Sequence, residues 1–525
     1  MRAAARTAGR PHGLEHAPTG RDMKPLSVTD ASFLYTETDS TPMTVASVQL
    51  LTRDDYQRES FLASLKALIL ERKHLVQYLN HKPVFAPGRF DHPVWIEDPD
   101  FDIDNHVYAV DVGGHGSMAD LEALIARLHS ERFDRSRPLW RLLVIDGLAD
   151  GRIAYYNACS HACIDGQSGQ IAIQLLMDLQ PEPRREAAPA SQPPAAPSAA
   201  RLTRTAWGQL AQASLDNWRR LPGLARTSAS LAARALDPRR SFGAYGQLAP
   251  RTSLNQSIDA ERSFAVGRIP LADVKAIGKA TDAKVNDVFL AIAAGGLTRY
   301  LERRGELPRS SLIAGCPVSL REAGDTSLNN QVTMMLVSLA TDLDDPRARL
   351  KAIRESALTA KEIVAELAPA MPEDVRFFGL PGMIRNATLS AEWSRVADRT
   401  PMPFNLVISN VPGPQVQLYS NGAAMQSHFP VSIPVHGQGM NLTVQSYLGN
   451  LDFSLTAGKK ALKDAGQLRD DLLAAFFELR AEILGKPGEV DGWDASVAPR
   501  RTSTTEPGPL QQVALDEVSG PREAA

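Results

Sequence analysis

The chain has 525 residues, 43% hydrophobic and 22% charged, with a formal charge of -3 and three cysteines. That length exceeds one ordinary core and predicts two domains with appendages, and no apolar run approaches the roughly 18 residues of a membrane span, so membrane contact must be peripheral. The near-neutral charge argues against a nucleic-acid binder held by overall charge, and Cys159, Cys163 and Cys316 predict free thiols in a reducing cytoplasm rather than a disulfide framework.

Residues 1–22, rich in Arg, Ala, Gly and His, lack the apolar core of a secretory signal and read as a disordered arm, with Met23 as an alternative start. A first folded unit is expected over 23–180. Within it Val45, Val48 and Leu50 suggest a strand, and Phe61, Leu62, Leu65, Leu68 and Ile69 form the apolar face of a helix. His106 to Val110 reads as a strand, and Leu121, Leu124, Ile125 and Leu128 mark a second amphipathic helix. Asp134-Arg135-Ser136-Arg137-Pro138-Leu139-Trp140 then leads through a proline-fixed turn into the strand Leu142 to Ile145, where the Trp ring is best read as a space-filler.

Arg152 to Cys159 has the length and composition of a buried strand, and Ile171, Leu175, Leu176 and Leu179 predict a following helix that Ser168 can cap. His161 falls in the turn between them, with Asp165 at the helix mouth. A His so placed, with a carboxylate to orient its surroundings, suits a general base. The residues alone leave other readings open: a satisfied core His, an Asp that only caps, or a metal site if Cys159, His161 and Cys163 share one strand face.

Residues 181–255 follow as a Pro- and Ala-rich linker and then a basic crossover. From Arg201 to Arg251 nine Arg stand against Asp216 and Asp237, interleaved with Trp207, Leu210, Leu215, Trp218, Leu221, Leu224 and Leu231, and Pro222-Gly223 splits the pattern into two helices. Such a segment serves either as a crossover packed on both halves or as a contact with a membrane or lipid-droplet surface. The second unit, 256–486, opens with a helix around Val274 to Ile277. Asn286-Asp287 stands at the start of another helix running to about Tyr300, where polar side chains can cap free amides. Strands are expected over Ile313 to Arg321 and Val332 to Leu339, a helix over Ala348 to Leu367, and a strand from Phe404 into the turn Asn410-Val411-Pro412-Gly413-Pro414. Gly437 to Tyr447 and Leu451 to Leu455 form a strand pair turned at Gly449-Asn450, and the helix carrying Leu472, Leu473, Phe476, Phe477, Leu479 and Ile483 closes the unit. The polar stretch 487–525 reads as a disordered tail.

His161-Ala162-Cys163-Ile164-Asp165-Gly166 resembles the HHxxxDG motif of the bacterial wax ester synthase/diacylglycerol acyltransferase family, relatives of condensation domains and chloramphenicol acetyltransferase. Ser160 stands where the family has its first His; His161 matches the second, the family's base. Lys24 to Leu34, Pro42-Met43-Thr44-Val45 (with Thr44 where the family commonly has His), Pro138-Leu139-Trp140, Asn286-Asp287, Pro317 to Arg321 and Ser409 to Pro414 resemble further family motifs in order. The resemblance covers about Lys24 to Leu484. It implies an α/β fold of two chloramphenicol acetyltransferase-like domains joined by a helical crossover, with a tunnel between them.

It also implies an O-acyltransferase that moves a long-chain acyl group from acyl-CoA to diacylglycerol or a long-chain alcohol. Acyl-CoA is then a substrate, no cofactor or metal is expected, and neither is a nucleic-acid partner. His161 would be the base, Asp165 would hold the turn, Ser160 would support it, and Gly166 would leave room for substrate. A cytoplasmic enzyme lying on the inner membrane face or on lipid droplets fits lipid substrates. Other readings remain: the same chemistry on another hydroxyl acceptor, a noncatalytic lipid-binding homologue, and a Cys159 or Cys163 thiol mechanism.

Overall fold

A computed structural model describes residues 23–186, 196–215, 234, 242–319, 330, 332–367 and 376–488. The arm at 1–22, the tail from 489, and Arg219, Arg220, Arg226 and the Pro222-Gly223 break of the crossover lie outside the described residues.

The first half runs β1 (Lys24–Pro25), α1 (Val28–Thr36), β2 (Thr44–Thr52), α2 (Arg58–Arg72), β3 (His81–Val84), β4 (Val94–Glu97), β5 (Val107–Asp111), α3 (Met118–Leu128), β6 (Trp140–Asp146), β7 (Ile153–Ser160) and α4 (Gly166–Leu176). A helix over 199–215, α5, follows. The amphipathic pattern of α3 is realised as read: Leu121, Leu124, Ile125 and Leu128 are buried, and Ser117 and Asp120 close a capping box at its start. The second half runs β8 (Arg262–Pro270), α6 (Leu271–Thr281), α7 (Val285–Arg303), β9 (Ile313–Ser319), β10 (Val332–Ser338), α8 (Pro346–Leu367), α9 (Leu380–Ser394), β11 (Leu406–Val411), β12 (Tyr419–Ser420), β13 (Ala423–Val431), β14 (Met440–Tyr447), β15 (Asn450–Gly458) and α10 (Ala465–Leu484).

Two six-stranded mixed sheets result, ordered β12-β13-β2-β7-β6-β5 and β10-β9-β11-β14-β15-β8. The second half builds its sheet from its own strands, whereas the first half completes its sheet with β12 and β13 of the second. β13 leaves the second half and pairs antiparallel with β2, from Ala424 opposite Thr52 to Val431 opposite Ala46. Sequence reading assigned no strand here, because Gln426, His428 and Pro430 interrupt any apolar pattern. The structure gives the reason: Phe429 and Val431 enter the core of the first half, while His428 and Pro430 face a cavity between the halves rather than solvent.

A buried ion pair fixes this exchange. Arg268 on β8 binds Asp452 on β15 at 2.5 and 2.8 Å, and also donates to the Gln426 carbonyl at 2.9 Å. Asp452 in turn accepts from the His428 amide at 2.8 Å, so one carboxylate and one guanidinium join both sheets.

Two local expectations change and one open reading narrows. The strand pair β14–β15 turns at Leu448-Gly449, because Tyr447 pairs with Asn450 and both turn residues take positive φ, 45° and 76°. The cap of α4 is Asp165, not Ser168, and Leu179 lies beyond the helix, exposed. Arg234 is 2% exposed and pairs with Glu362 and Glu366 of α8, so this part of the basic crossover packs on the protein and presents no charge to a membrane.

Candidate active site

β7 ends at Ser160 because the chain turns there: the Ser160 amide donates to the Leu139 carbonyl at 2.9 Å, and the Cys163 amide to the Ser160 carbonyl at 2.9 Å. His161 follows, its amide held by the Met43 carbonyl at 2.8 Å and its carbonyl by Asn330 Nδ2 at 2.8 Å. Asn330 is itself fixed by buried Asp30, which accepts from its amide at 3.1 Å and from its side chain at 2.7 Å. The turn is thus gripped by Met43, just before β2, and by Asn330 of the second half, which Asp30 of α1 holds in place.

The imidazole of His161 stacks on Phe33 of α1, with ring centroids 4.1 Å apart and planes at 6°. Phe33 and Asp30 lie three residues apart on one helix, so a single face of α1 supports both ring and turn. Burial pushes the His161 pKa below its ordinary 6.5; Asp165 and oxygen atoms of its own carbonyl, Ile164 and Asn330 pull in the opposite direction without overcoming it. A neutral imidazole at physiological pH is the state that accepts a proton.

Asp165 closes the other end of the turn. Its Oδ1 accepts from the Ser168 amide at 2.8 Å and hydroxyl at 2.7 Å, while Ser168 Oγ accepts from the Asp165 amide at 2.9 Å. Gly166 has a structural reason of its own: a Cβ there would meet Val411 Cγ2 on β11 at 3.0 Å, so a small residue is also what lets the two halves approach closely at the edge of the cavity.

His161, Asp165 and Gly166 line a cavity of ≈ 730 Å³ between the halves. Leu65, Leu68, Ile69, Leu142 and Leu176 make one part apolar, and Gln445, His428, Asn441 and Ser409 bring polar groups from the second half. Ser160 is not among the lining residues; it is 1% exposed behind the turn, and its Oγ accepts from the Ala162 amide at 3.3 Å. Its register partner on β2 is Thr44, so the two positions where small residues replace the resembled family's His face each other. Asn286 and Asp287 are also absent from the lining. Asp287 Oδ2 accepts from the Lys284 amide at 3.0 Å and caps α7.

The cysteines do not share a face. Cys159 lines the cavity, but β7 stops before Cys163, which turns away into a separate hollow with Tyr78 and Trp95. Burial raises the Cys159 thiol to about 12 and the Cys163 thiol well above 9, so neither supplies thiolate near neutrality.

The described wax ester synthase/diacylglycerol acyltransferase catalytic domain matches residues 26–289, and the C-terminal domain of the same family matches 328–480. A Mycobacterium tuberculosis protein carrying the name diacylglycerol O-acyltransferase is 33% identical over 468 residues, covering 87% of this chain and 100% of the relative. The chain belongs to the wax ester synthase/diacylglycerol acyltransferase family. It is an acyl-CoA-dependent O-acyltransferase with two chloramphenicol acetyltransferase-like halves.

Among solved structures, the wax ester synthase/diacylglycerol acyltransferase from Marinobacter aquaeolei VT8 is 26% identical, with a TM-score of 0.61 over 88% of this chain and 100% of that one. The first condensation domain of the calcium-dependent antibiotic synthetase shares the fold at 13% identity and a TM-score of 0.52, over 89% of this chain and 98% of that one.

In this acyltransferase the sequence pointed to His161 but missed its supports. Asp30 and Phe33 carried a signal, since they sit in the segment that resembles the family's opening; Asn330 and His428 carried none. The Phe33 contact gives a test. An aromatic stack contributes about 0.5–1.5 kcal/mol, so Phe33→Ala is expected to lower kcat by up to roughly tenfold. Because burial is what depresses the His161 pKa, admitting water moves that pKa up toward 6.5 and shifts the acid limb of the rate profile to higher pH. Measuring kcat and KM from about pH 5 to 8 checks both effects; an acid limb at the wild-type position would show that Phe33 only fills space.

Proposed function

We propose that His161 is the general base for acyl transfer from acyl-CoA to diacylglycerol or a long-chain alcohol. The observation that carries this is a neutral imidazole, clamped through its ring face and both backbone groups, at the junction of a large apolar cavity. His161 takes the acceptor hydroxyl proton as the oxygen attacks the thioester carbonyl. The tetrahedral intermediate then collapses with cleavage of the C–S bond, and the imidazolium returns the proton to the departing coenzyme A sulfur. No acyl-enzyme forms. Asp165 holds the turn, and Ser409 brings a hydroxyl donor into the same cavity, a candidate partner for the oxyanion.

The polar groups of the second half favour diacylglycerol. Burial pushes His428 down to about 3, so its ring is neutral; Gln445 Nε2 lies 3.0 Å from its Nδ1 and donates to it, which leaves Nε2–H as a donor. An acceptor with ester oxygens can use that donor, whereas a plain alkyl alcohol cannot.

Lipid acceptors also call for a surface, and α9 supplies one together with Trp207 from the described start of the basic crossover. Trp393 is 88% exposed, Phe378 64%, Met383 55% and Trp207 54%, and Phe378 stacks on both Phe90 and Trp207. Exposed Arg399 lies shortly beyond the end of α9 and adds a positive charge suited to an anionic lipid boundary. The test incubates protein with labelled palmitoyl-coenzyme A and either hexadecanol or dioleoylglycerol in vesicles containing phosphatidylglycerol. Triacylglycerol is expected to exceed wax ester. The variant Met383→Ser/Trp393→Ser is expected to float with the vesicles several-fold less than wild type. Absence of ester with both acceptors would overturn the substrate assignment, and equal flotation would remove α9 from the contact.

A further inference from the structure

Outside the cavity between the halves, a cleft bounded by the turn after β3, the loop after α3 and helix α9 gathers Arg89, Arg132, Arg135 and Arg385 around a hollow of ≈ 640 Å³. Two carboxylates answer these four guanidinium groups. Buried Glu37 accepts from Arg132 Nε at 2.9 Å and from Arg135 Nη2 at 3.0 Å, and exposed Asp39 accepts from Arg132 Nη1 at 2.7 Å. Arg89 and Arg385 are exposed and make no side-chain hydrogen bond or ion pair among the described residues. Arg89 instead lies over the Phe85 ring at 5.0 Å, on a backbone at φ 49° that residues with a side chain seldom adopt. Arg135 Nε is buried without a hydrogen-bond partner. Positive charge is thus concentrated here beyond what the fold itself neutralises.

Among the described residues the cavity between the halves offers little of this: Arg72 is the one described Lys or Arg in its lining, and it is committed to Asp178 at 2.8 Å and to the carbonyls of Leu176 and Arg184. An acyl-CoA donor brings several phosphate charges that its thioester site cannot neutralise. The cleft is mechanically continuous with that site. Arg135 donates to the carbonyl of Leu34, next to Phe33, and the segment from Glu37 runs to Met43, whose carbonyl holds the His161 amide.

We propose that this cleft binds the phosphate groups of an anionic ligand, for which the guanidinium fork is well shaped. Two sources fit that chemistry: the nucleotide end of the acyl-CoA donor, or the headgroups of the lipid surface on which α9 rests. The first source rests on the acyl-CoA reading given above.

The test compares the full-length protein with Arg89→Gln/Arg385→Gln, whose two sites are exposed and unpaired, so folding is not at stake. One arm titrates free coenzyme A without any acceptor, at low salt and at high salt. The other measures binding to phosphatidylglycerol vesicles diluted in phosphatidylcholine. Loss of two charge-assisted contacts is expected to weaken coenzyme A binding by at least about tenfold at low salt, with the gap narrowing at high salt, and to raise the KM for palmitoyl-coenzyme A. Weakening confined to the vesicle arm would assign the same cleft to lipid headgroups. Unchanged affinity in both arms would overturn the proposal. Because the titration needs no turnover, it is read independently of the acyltransferase assay: a failed assay with a responsive titration faults the substrate assignment, and normal ester formation with an unresponsive titration faults the cleft.

Discussion

His161→Ala is expected to abolish most acyl transfer, lowering the rate by roughly two orders of magnitude or more, the range that positioned general-base catalysis supplies. The neighbouring variants calibrate that loss. Ser160→Ala removes a hydroxyl that lies behind the turn and makes one 3.3 Å contact with the Ala162 amide, worth about a kilocalorie per mole, so it is expected to cost tenfold or less. Asp165→Asn keeps an oxygen that can accept from the Ser168 amide but loses the charge that caps α4, and is expected to fall between the two or to weaken folding. Rates are read with labelled palmitoyl-coenzyme A on proteins shown folded by circular dichroism, since a lost cap would mimic a lost base. Folded His161→Ala with near wild-type turnover would remove His161 from the chemistry. If Ser160→Ala were inactive in the same series, Ser160 would become the candidate nucleophile.

The legibility of this site follows from which interactions are local. The strand ending at Ser160, the turn and the helix from Gly166 are encoded within a few residues of one another, so period and capping chemistry place His161 at the turn. What reaches it from elsewhere left no such trace. Asn330 meets Asp30 across 300 positions, and β13 meets β2 from a still more distant part of the chain; neither carries a periodic pattern of its own. β13 is the clearest case, because both its faces are covered and its polar residues point into a cavity, which defeats an alternation rule that equates polar with solvent. Gly166 is an intermediate case. Sequence reasoning identified the need for a small residue, and the neighbour it could not name is Val411, far along the chain on β11.

Arg268→Leu should produce the largest loss of stability, about 3–5 kcal/mol, since it strands a carboxylate in the interior. Asp452 is 0% exposed, and burial already raises its pKa against the pull of Arg268. Without the guanidinium only the His428 amide remains among its described donors, so the folded-state pKa climbs further above the unfolded value. The sign then follows: a carboxyl whose folded pKa is raised favours the folded state as it takes up a proton, so the deficit of the variant is largest at and above neutral pH and shrinks as pH falls through that raised pKa. Urea denaturation at pH 7.5 and at pH 5.5 measures both the loss and its pH dependence. Adding Asp452→Asn removes the stranded charge and is expected to recover a large part of the stability at pH 7.5, because an amide can still accept from the His428 amide. The same node connects stability to substrate choice. Arg268 and Asp452 hold the backbone of β13 at Gln426 and His428, and His428 faces the acceptor side of the cavity. Variants that fold with the node weakened should therefore raise the KM for diacylglycerol more than that for palmitoyl-coenzyme A. A loss below about 1 kcal/mol for Arg268→Leu, with unchanged acceptor KM, would show that β13 is held by its strand pairing with β2 alone.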